Sequence, residues 1–411
     1  MHYKILITSL VAVTFLTSCG SNSKNNNISN ILDPLGVFTD GNNNQDGTFS
    51  LQEKKEVHNL FLTEYLWYEQ VIQDINYEAI TGPQALINAL RVTPPDEWSF
   101  SMTKQQYEDY VNQKTTGFGF GYTQDFTLYI VRIDSPAYNK LFRGDTIIKI
   151  NGQSVSQTNI AQASANTTQA TTFTVKRNNT TVNVALTPSD YNFKVSLGKV
   201  IQHKNTKVGY LRYDSFSGSS VDEFEKIFTD FKKANVSELV IDLRYNGGGS
   251  IAVASALLDN ITNAYAGQRQ GYLDWNDKNE EKNEDFKFED LDDQDGNELT
   301  MKRVVFLVTK NSASASELVI SALKPYLGDG NVITIGTETH GKPVGMAGKV
   351  YNNNYYFLIN FIVRNNVDET TPFEGIPSTC AAEDNLAFQR GTQEDPMLKT
   401  ALYYIDNSTC P

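Results

Sequence analysis

The amino-acid sequence predicts a multidomain α/β protein with a helical N-terminal segment, a β-rich module and an α/β core in the C-terminal half. Three observations carry this. From about Gly198 onward, short β-branched runs alternate with amphipathic ones ("KVGYLRY", "SVDEFEKIFTDFKKAN", "ELVIDLR", "SIAVASALLDNI", "RVVFLV", "SELVISALKPYL", "NVITIG"). Strands separated by helices build a largely parallel sheet. Between residues 113 and 192, Gly-rich turns separate alternating strands and leave room for one or two short helices. From Gln52 to Leu90 the apolar spacing is helical, with Val57, Leu60, Phe61, Tyr65 and Leu66 on one face. A chain of 411 residues, 40% hydrophobic and 11% aromatic, is long and apolar enough for two or three packed domains. The segments are 1–18, 19–48, 49–112, 113–192 and 193–411.

The first segment, "MHYKILITSLVAVTFLTSCGSNS", has an early Lys4, an apolar stretch from Ile5 to Leu16 and a small-residue end, the pattern of an export signal. Its apolar run falls short of the roughly 20 residues that span a bilayer. The "LTSC" ending resembles the bacterial lipobox. That resemblance implies lipid on Cys19 and a mature chain held in the bacterial cell envelope, periplasmic or on the outer membrane, by its lipid anchor alone. The Asn- and Ser-rich stretch that follows suits a tether.

Within and just after that tether, Asn42, Asn44, Asp46 and Glu53 follow EF-hand loop spacing, with Gly47 at the sixth place. An Asn stands where the first Asp belongs and "LDPLG" is a poor entering helix, so a tether running into a helix cap explains the same residues. No other metal and no cofactor is expected. With Cys19 lipidated, Cys380 and Cys410 remain, and a disulfide between them would pin the C-terminal tail. The formal net charge of −13 argues against a nucleic-acid partner.

In the β-rich module, "GFGFGYTQDFTLYIVRI" (117–133) is followed by "DSPAYNKLFRGDTIIKINGQSV". The pair resembles a PDZ domain. The resemblance implies that the module takes a peptide C-terminus by strand addition, with N–H groups of Phe118, Gly119, Phe120 and Gly121 cradling the carboxylate.

Three stretches of the α/β region could carry chemistry. "VIDLRYNGGGS" (240–250) runs from a strand into three glycines, which permit close backbone approach and N–H groups aimed at an anion. No Lys-Ser/Thr follows, which argues against a phosphate loop. "KNSASASELVISAL" (310–323) places Ser312, Ser314 and Ser316 at a strand-to-helix turn, with Ser314 and Glu317 spaced as a capping box. Such a serine can be a cap and nothing more, yet its hydroxyl also sits where a helix N-terminus favours developing negative charge. "GTETHGKPVGM" (336–346) puts Lys342 between Gly341 and Pro343, where spacing alone makes it a surface charge. The acidic stretch 273–299 reads as a solvated insertion.

In this order, behind a PDZ-like module, the three stretches resemble the carboxyl-terminal processing (tail-specific) serine protease family. The likeness runs from roughly Thr115 to the C-terminus and includes "FEGIPS" (373–378). It implies a ClpP/crotonase-like α/β protease core, Ser314 as nucleophile, Lys342 as general base and the N–H groups of Ala315 and Gly248 as oxyanion hole. A lysine at its reference pKa near 10.4 is protonated at pH 7, so burial and the positive helix end must lower it. One departure stands out. The family's glutamine four residues past the lysine is Met346 here, which leaves Glu338 and His340 as neighbouring candidates for a third group. As a base in its own right, His340 is outweighed by a packing role.

The expected function is hydrolysis of peptide bonds in secreted or envelope proteins selected through their C-termini. A catalytically impaired peptide-binding lipoprotein is the alternative. A calcium-dependent scaffold rests on residues 42–53 alone.

Overall fold

The computed structural model describes residues 49–289 and 298–411. Cys19, Asn42, Asn44 and Asp46 lie outside the described residues. Ser50 caps helix α1 (Leu51–Thr63), its hydroxyl accepting the Glu53 N–H at 3.1 Å. The helix expected over Gln52–Leu90 is interrupted, because α1 ends at Thr63 and α2 covers only Pro83–Leu90. Pro83 has no N–H to donate backwards, so it starts a helix and does not continue one. Strand β1 (Phe100–Thr103) and helix α3 (Lys104–Val111) complete this segment.

The β-rich module contains β2 (Lys114–Gly117), β3 (Phe120–Tyr122), β4 (Leu128–Val131), β5 (Thr146–Ile150), β6 (Gln153–Ser154), α4 (Gln157–Ala165), β7 (Thr171–Arg177), β8 (Thr180–Leu186) and β9 (Ser189–Asn192). Strands β6-β5-β7-β8 form one antiparallel sheet, while β2–β9 and β3–β4 form pairs. Asn178 and Asn179, at φ 46° and 65°, make the two-residue turn between β7 and β8, and Asn tolerates the positive φ such hairpins require. Phe118, Leu128, Ile147, Phe173 and Val175 fill the module's own core.

The core begins with β10 (Ser196–His203), β11 (Thr206–Tyr213), α5 (Val221–Ala234), β12 (Glu238–Asp242), α6 (Ile251–Ile261), β13 (Arg269–Trp275) and β14 (Glu284–Lys287). It continues with β15 (Val304–Val308), α7 (Ala315–Leu327), β16 (Val332–Gly336), β17 (Val344–Tyr351), β18 (Asn354–Asn365), β19 (Cys380–Ala381) and α8 (Pro396–Asn407). The main sheet has the order β10-β11-β12-β15-β16-β19, parallel from β11 to β19. Strand alternation divides its side chains. Val304, Phe306 and Val308 face a core shared with α5, α6 and α7, while Val305 and Leu307 face α8. Burial on both faces is why the strand reads as an unbroken apolar run.

A second sheet, β1-β18-β13-β14 with β17 beside β18, lies against the N-terminal segment. Residues 49–112 share their core with it: Phe100 pairs with Phe357, and Val57, Phe61, Leu86 and Ile87 pack with Met346, Leu358 and Ile359. Glu53 is buried there, accepting from Asn352, Asn354 and the Tyr356 hydroxyl, so its carboxylate is already occupied. Among the described residues no cluster of His, Cys, Asp or Glu is arranged for a metal. Across the start of the acidic stretch β13 and β14 pair antiparallel; residues 290–297 lie outside the described residues. Cys380 and Cys410 form a disulfide that ties the chain's end to β19. Among the described residues no helix is long and apolar enough to cross a membrane.

Candidate active site

The end of β12 is held by buried charges. Arg244 is 1% exposed and bonds Asp242 at 3.0 Å, Asp384 at 2.6 Å and Asp395 at 2.7 Å. Burial alone would raise the Asp242 carboxyl, but Arg244 and Arg390 outweigh it and hold the group far below the usual carboxylate range. Arg143 from the β-rich module joins this network through Asp384 at 2.5 Å and the Tyr245 hydroxyl at 2.6 Å.

The glycine turn after β12 and the serine turn after β15 are laced together. The Asn246 carbonyl accepts the Ala313 N–H at 3.1 Å and the Ser316 hydroxyl at 2.8 Å. The Ser312 hydroxyl donates to the Leu243 carbonyl at 2.8 Å. Ser312 and Ser316 are therefore buried and committed to structure. The middle serine differs. Ser314 is half-buried at the start of α7, with φ 54° and ψ −111°, a conformation that costs a non-glycine residue on the order of 1–3 kcal/mol.

Glu317, one turn into α7, joins the serine to the lysine loop. Its buried carboxylate accepts the Ser314 N–H at 2.7 Å, the Thr339 hydroxyl at 2.6 Å, the Gly341 N–H at 2.7 Å and the Lys342 N–H at 3.0 Å. Gly341, at φ 90°, leaves room for the Phe373 carbonyl, which a Cβ would meet at 2.0 Å. Lys342 follows it inward. The side chain is 3% exposed, and its Nζ is buried with no hydrogen-bond partner among the described residues. Desolvation drives the amine pKa well below its ordinary value, and the attraction of Asp96 and Glu317 does not offset it. Ser314, Ala315 and Lys342 line one small pocket with Ile251, Leu318, Ser321, Pro343, Gly345, Val363 and Thr371. A hydroxyl and a buried amine of lowered pKa on one pocket can act as nucleophile and base.

The other sequence candidates fall differently. Ala315 is the first residue of α7, so its N–H has no acceptor within the helix. Gly248 does not offer a free donor, because its N–H is turned to the Asn246 side-chain oxygen at 2.9 Å. Glu338 is exposed and pairs with Lys310 at 2.9 Å, away from the amine. His340 accepts the indole N–H of Trp98 at 3.3 Å, and burial, then Lys342 and Lys310, lower its pKa to about 4. Met346 is fully buried in the core under the N-terminal segment.

In the β-rich module, the Phe118 ring packs edge-on to Phe173 at 4.8 Å, and its carbonyl accepts the Ala137 N–H. Gly119, at φ 86°, lies against Ser135, while Phe120 and Gly121 pair with β4. None of these four lines the Ser314 pocket. The sequence offered Glu317 only as a helix cap, and nothing in it pointed to Trp98, whose ring centroid lies 5.7 Å from the Lys342 Nζ.

The α/β core thus carries a serine on a strained strand-to-helix turn and a buried lysine lining one pocket. Residues 207–363 match the family model of Peptidase family S41. The carboxyl-terminal-processing protease of Picosynechococcus sp. is 32% identical over 148 residues, covering 35% of this chain and 31% of its own length. The carboxy-terminal processing protease CtpB of Bacillus subtilis is 28% identical over 199 residues, 48% of this chain and 36% of its own. The chain thus spans about a third of the length of these curated relatives. A Bacteroides fragilis structure assigned to the S41 proteases has the same fold, with a TM-score of 0.72 at 23% identity over 89% of this chain and 99% of that one.

Proposed function

We propose that this protein is an envelope-located serine endopeptidase that cleaves secreted or envelope proteins by a Ser–Lys mechanism. The observation that carries the reading is the buried, unpartnered Lys342 amine on the same pocket as Ser314. Ser314 Oγ attacks the scissile carbonyl while Lys342 Nζ takes its proton. The tetrahedral oxyanion is held by the Ala315 N–H, a donor worth roughly 3 kcal/mol in such sites. The C–N bond breaks as Lys342 returns the proton to the leaving amine. Water, deprotonated by the same amine, then hydrolyses the Ser314 ester. Gly248 would join the oxyanion hole on turning its N–H away from Asn246.

The PDZ-like module, residues 113–192, is read as the selector of substrate C-termini. The outer edge of β3 pairs with no strand among the described residues, which supports strand addition there. Lipid on Cys19 would hold the enzyme at the membrane. The test is incubation of the full chain in detergent with an unfolded protein bearing an apolar C-terminus, with Ser314→Ala and Lys342→Ala alongside. Fragments seen by mass spectrometry only with the wild type support the reading. Binding of the peptide without cleavage by the wild type would instead mark a peptide-binding lipoprotein.

A further inference from the structure

We propose that Trp98, brought from the N-terminal segment, is a positioning residue for Lys342: its ring walls the amine from water and fixes its direction where no hydrogen-bonding side chain does so. The proposal rests on the Ser–Lys reading of the pocket. Three features of the geometry carry it.

The Lys342 Nζ is buried and meets no hydrogen-bond acceptor. Met346, which stands where a glutamine would hold the amine in the resembled pattern, is buried in apolar company and has no amide to offer. What does face Nζ is the Trp98 ring, at 5.7 Å from its centroid. An amine N–H directed at an aromatic face makes a weak attractive contact, and an ammonium makes a stronger one.

The ring itself is held firmly. Asp96 accepts the N–H groups of Trp98 and Ser99, each at 2.9 Å, and the Tyr65 hydroxyl at 2.8 Å, fixing the backbone of the 96–99 turn. The indole N–H donates to His340, and Phe373 stacks on the outer face at 6.3 Å with 26° between the rings. Indole, imidazole and phenyl thus pack on one another, with the indole over the base. The charged or titratable groups acting on the amine are Asp96 and Glu317, which favour the ammonium, and His340, which is neutral above about pH 4. Lys310 lies beyond His340, and its backbone bonds the imidazole. Water entering through a gap in the wall would solvate the ammonium and favour it further.

The experiment is the pH profile of kcat/KM on a quenched fluorescent peptide, with the full chain in detergent. Trp98→Ala should move the acid limb upward by about one pH unit or more, a further ten-fold loss for each unit at pH values below the limb. Trp98→Phe keeps a ring over the amine and should leave the limb within a few tenths of a unit. A uniform loss at every pH with the limb unmoved would assign Trp98 a merely structural role and overturn the proposal. Should Trp98→Ala fail to fold, Trp98→Gln takes its place. A second readout does not depend on hydrolysis: competitive acetylation of Lys342 by acetic anhydride across pH, read by mass spectrometry. If the wild type cleaves nothing, the Ser–Lys reading fails, yet an upward shift of the acetylation midpoint in Trp98→Ala would still support the wall. An unmoved midpoint would overturn it.

Discussion

Lys342→Met should make this protein more stable while abolishing hydrolysis. The wild-type amine is 3% exposed, lacks any hydrogen-bond partner and is held well below its ordinary pKa by burial. Each pH unit by which burial holds the folded pKa below the unfolded one costs about 1.4 kcal/mol of stability at pH values below the folded pKa. Methionine fills much the same volume without the amine, and removing a buried polar group that has no partner is expected to gain roughly 1–3 kcal/mol. The sign of the pH dependence follows. In the window between the two pKa values the unfolded chain binds the extra proton, so wild-type stability rises with pH until about 10.4. The advantage of Lys342→Met is therefore widest at and below the folded pKa and closes near pH 10. Denaturant unfolding of both chains from pH 6 to 10 reads this directly. A variant less stable than wild type at pH 7, or a gap that does not change with pH, would refute a buried neutral amine.

Other consequences are simpler. Ser316→Ala and Ser312→Ala each delete a buried donor, to Asn246 and Leu243 respectively; each should cost about 1–2 kcal/mol in denaturant unfolding yet keep peptide cleavage. Glu317→Ala strands four donors that now share one buried carboxylate. A loss of about 3–5 kcal/mol is expected, together with loss of cleavage, as the serine and lysine turns come apart. Cys410→Ser opens a disulfide across a separation of 30 residues. It should lower stability by about 3–4 kcal/mol, and reducing the wild type should reproduce the drop in unfolding midpoint.

Much of the α/β core was legible because local pattern and tertiary environment agree there. "RVVFLV" is apolar throughout since β15 is buried on both faces, and the spacing of Leu318, Val319, Ala322 and Leu323 matches the face that α7 turns inward. What sets Ser314 apart from its neighbours was not legible from periodicity. Ser312 and Ser316 are tied to Leu243 and Asn246, which lie about 70 residues away in sequence. Three further features were not legible, two of them for the same reason and the third because spacing does not fix where a nearby side chain points. The N-terminal segment reads as a helical unit, yet β1 pairs with β18 and Trp98 reaches Lys342, contacts set by chain packing across more than 240 positions. Gly248 reads as a free donor until the Asn246 side chain is seen to take its N–H. Nothing near Arg143 in sequence marks its partner, Asp384, which lies 241 positions on, in the last stretch of the core.

The central claim is that Ser314 is a nucleophile activated by Lys342. The most direct measurement is the intact mass and peptide map of the full chain after brief reaction with a slowly hydrolysed peptide ester and an acid quench. One acyl group is expected on Ser314 in the wild type, none in Ser314→Ala, and little in Lys342→Ala at neutral pH. An unmodified Ser314 in the wild type, or equal acylation with and without Lys342, would contradict it.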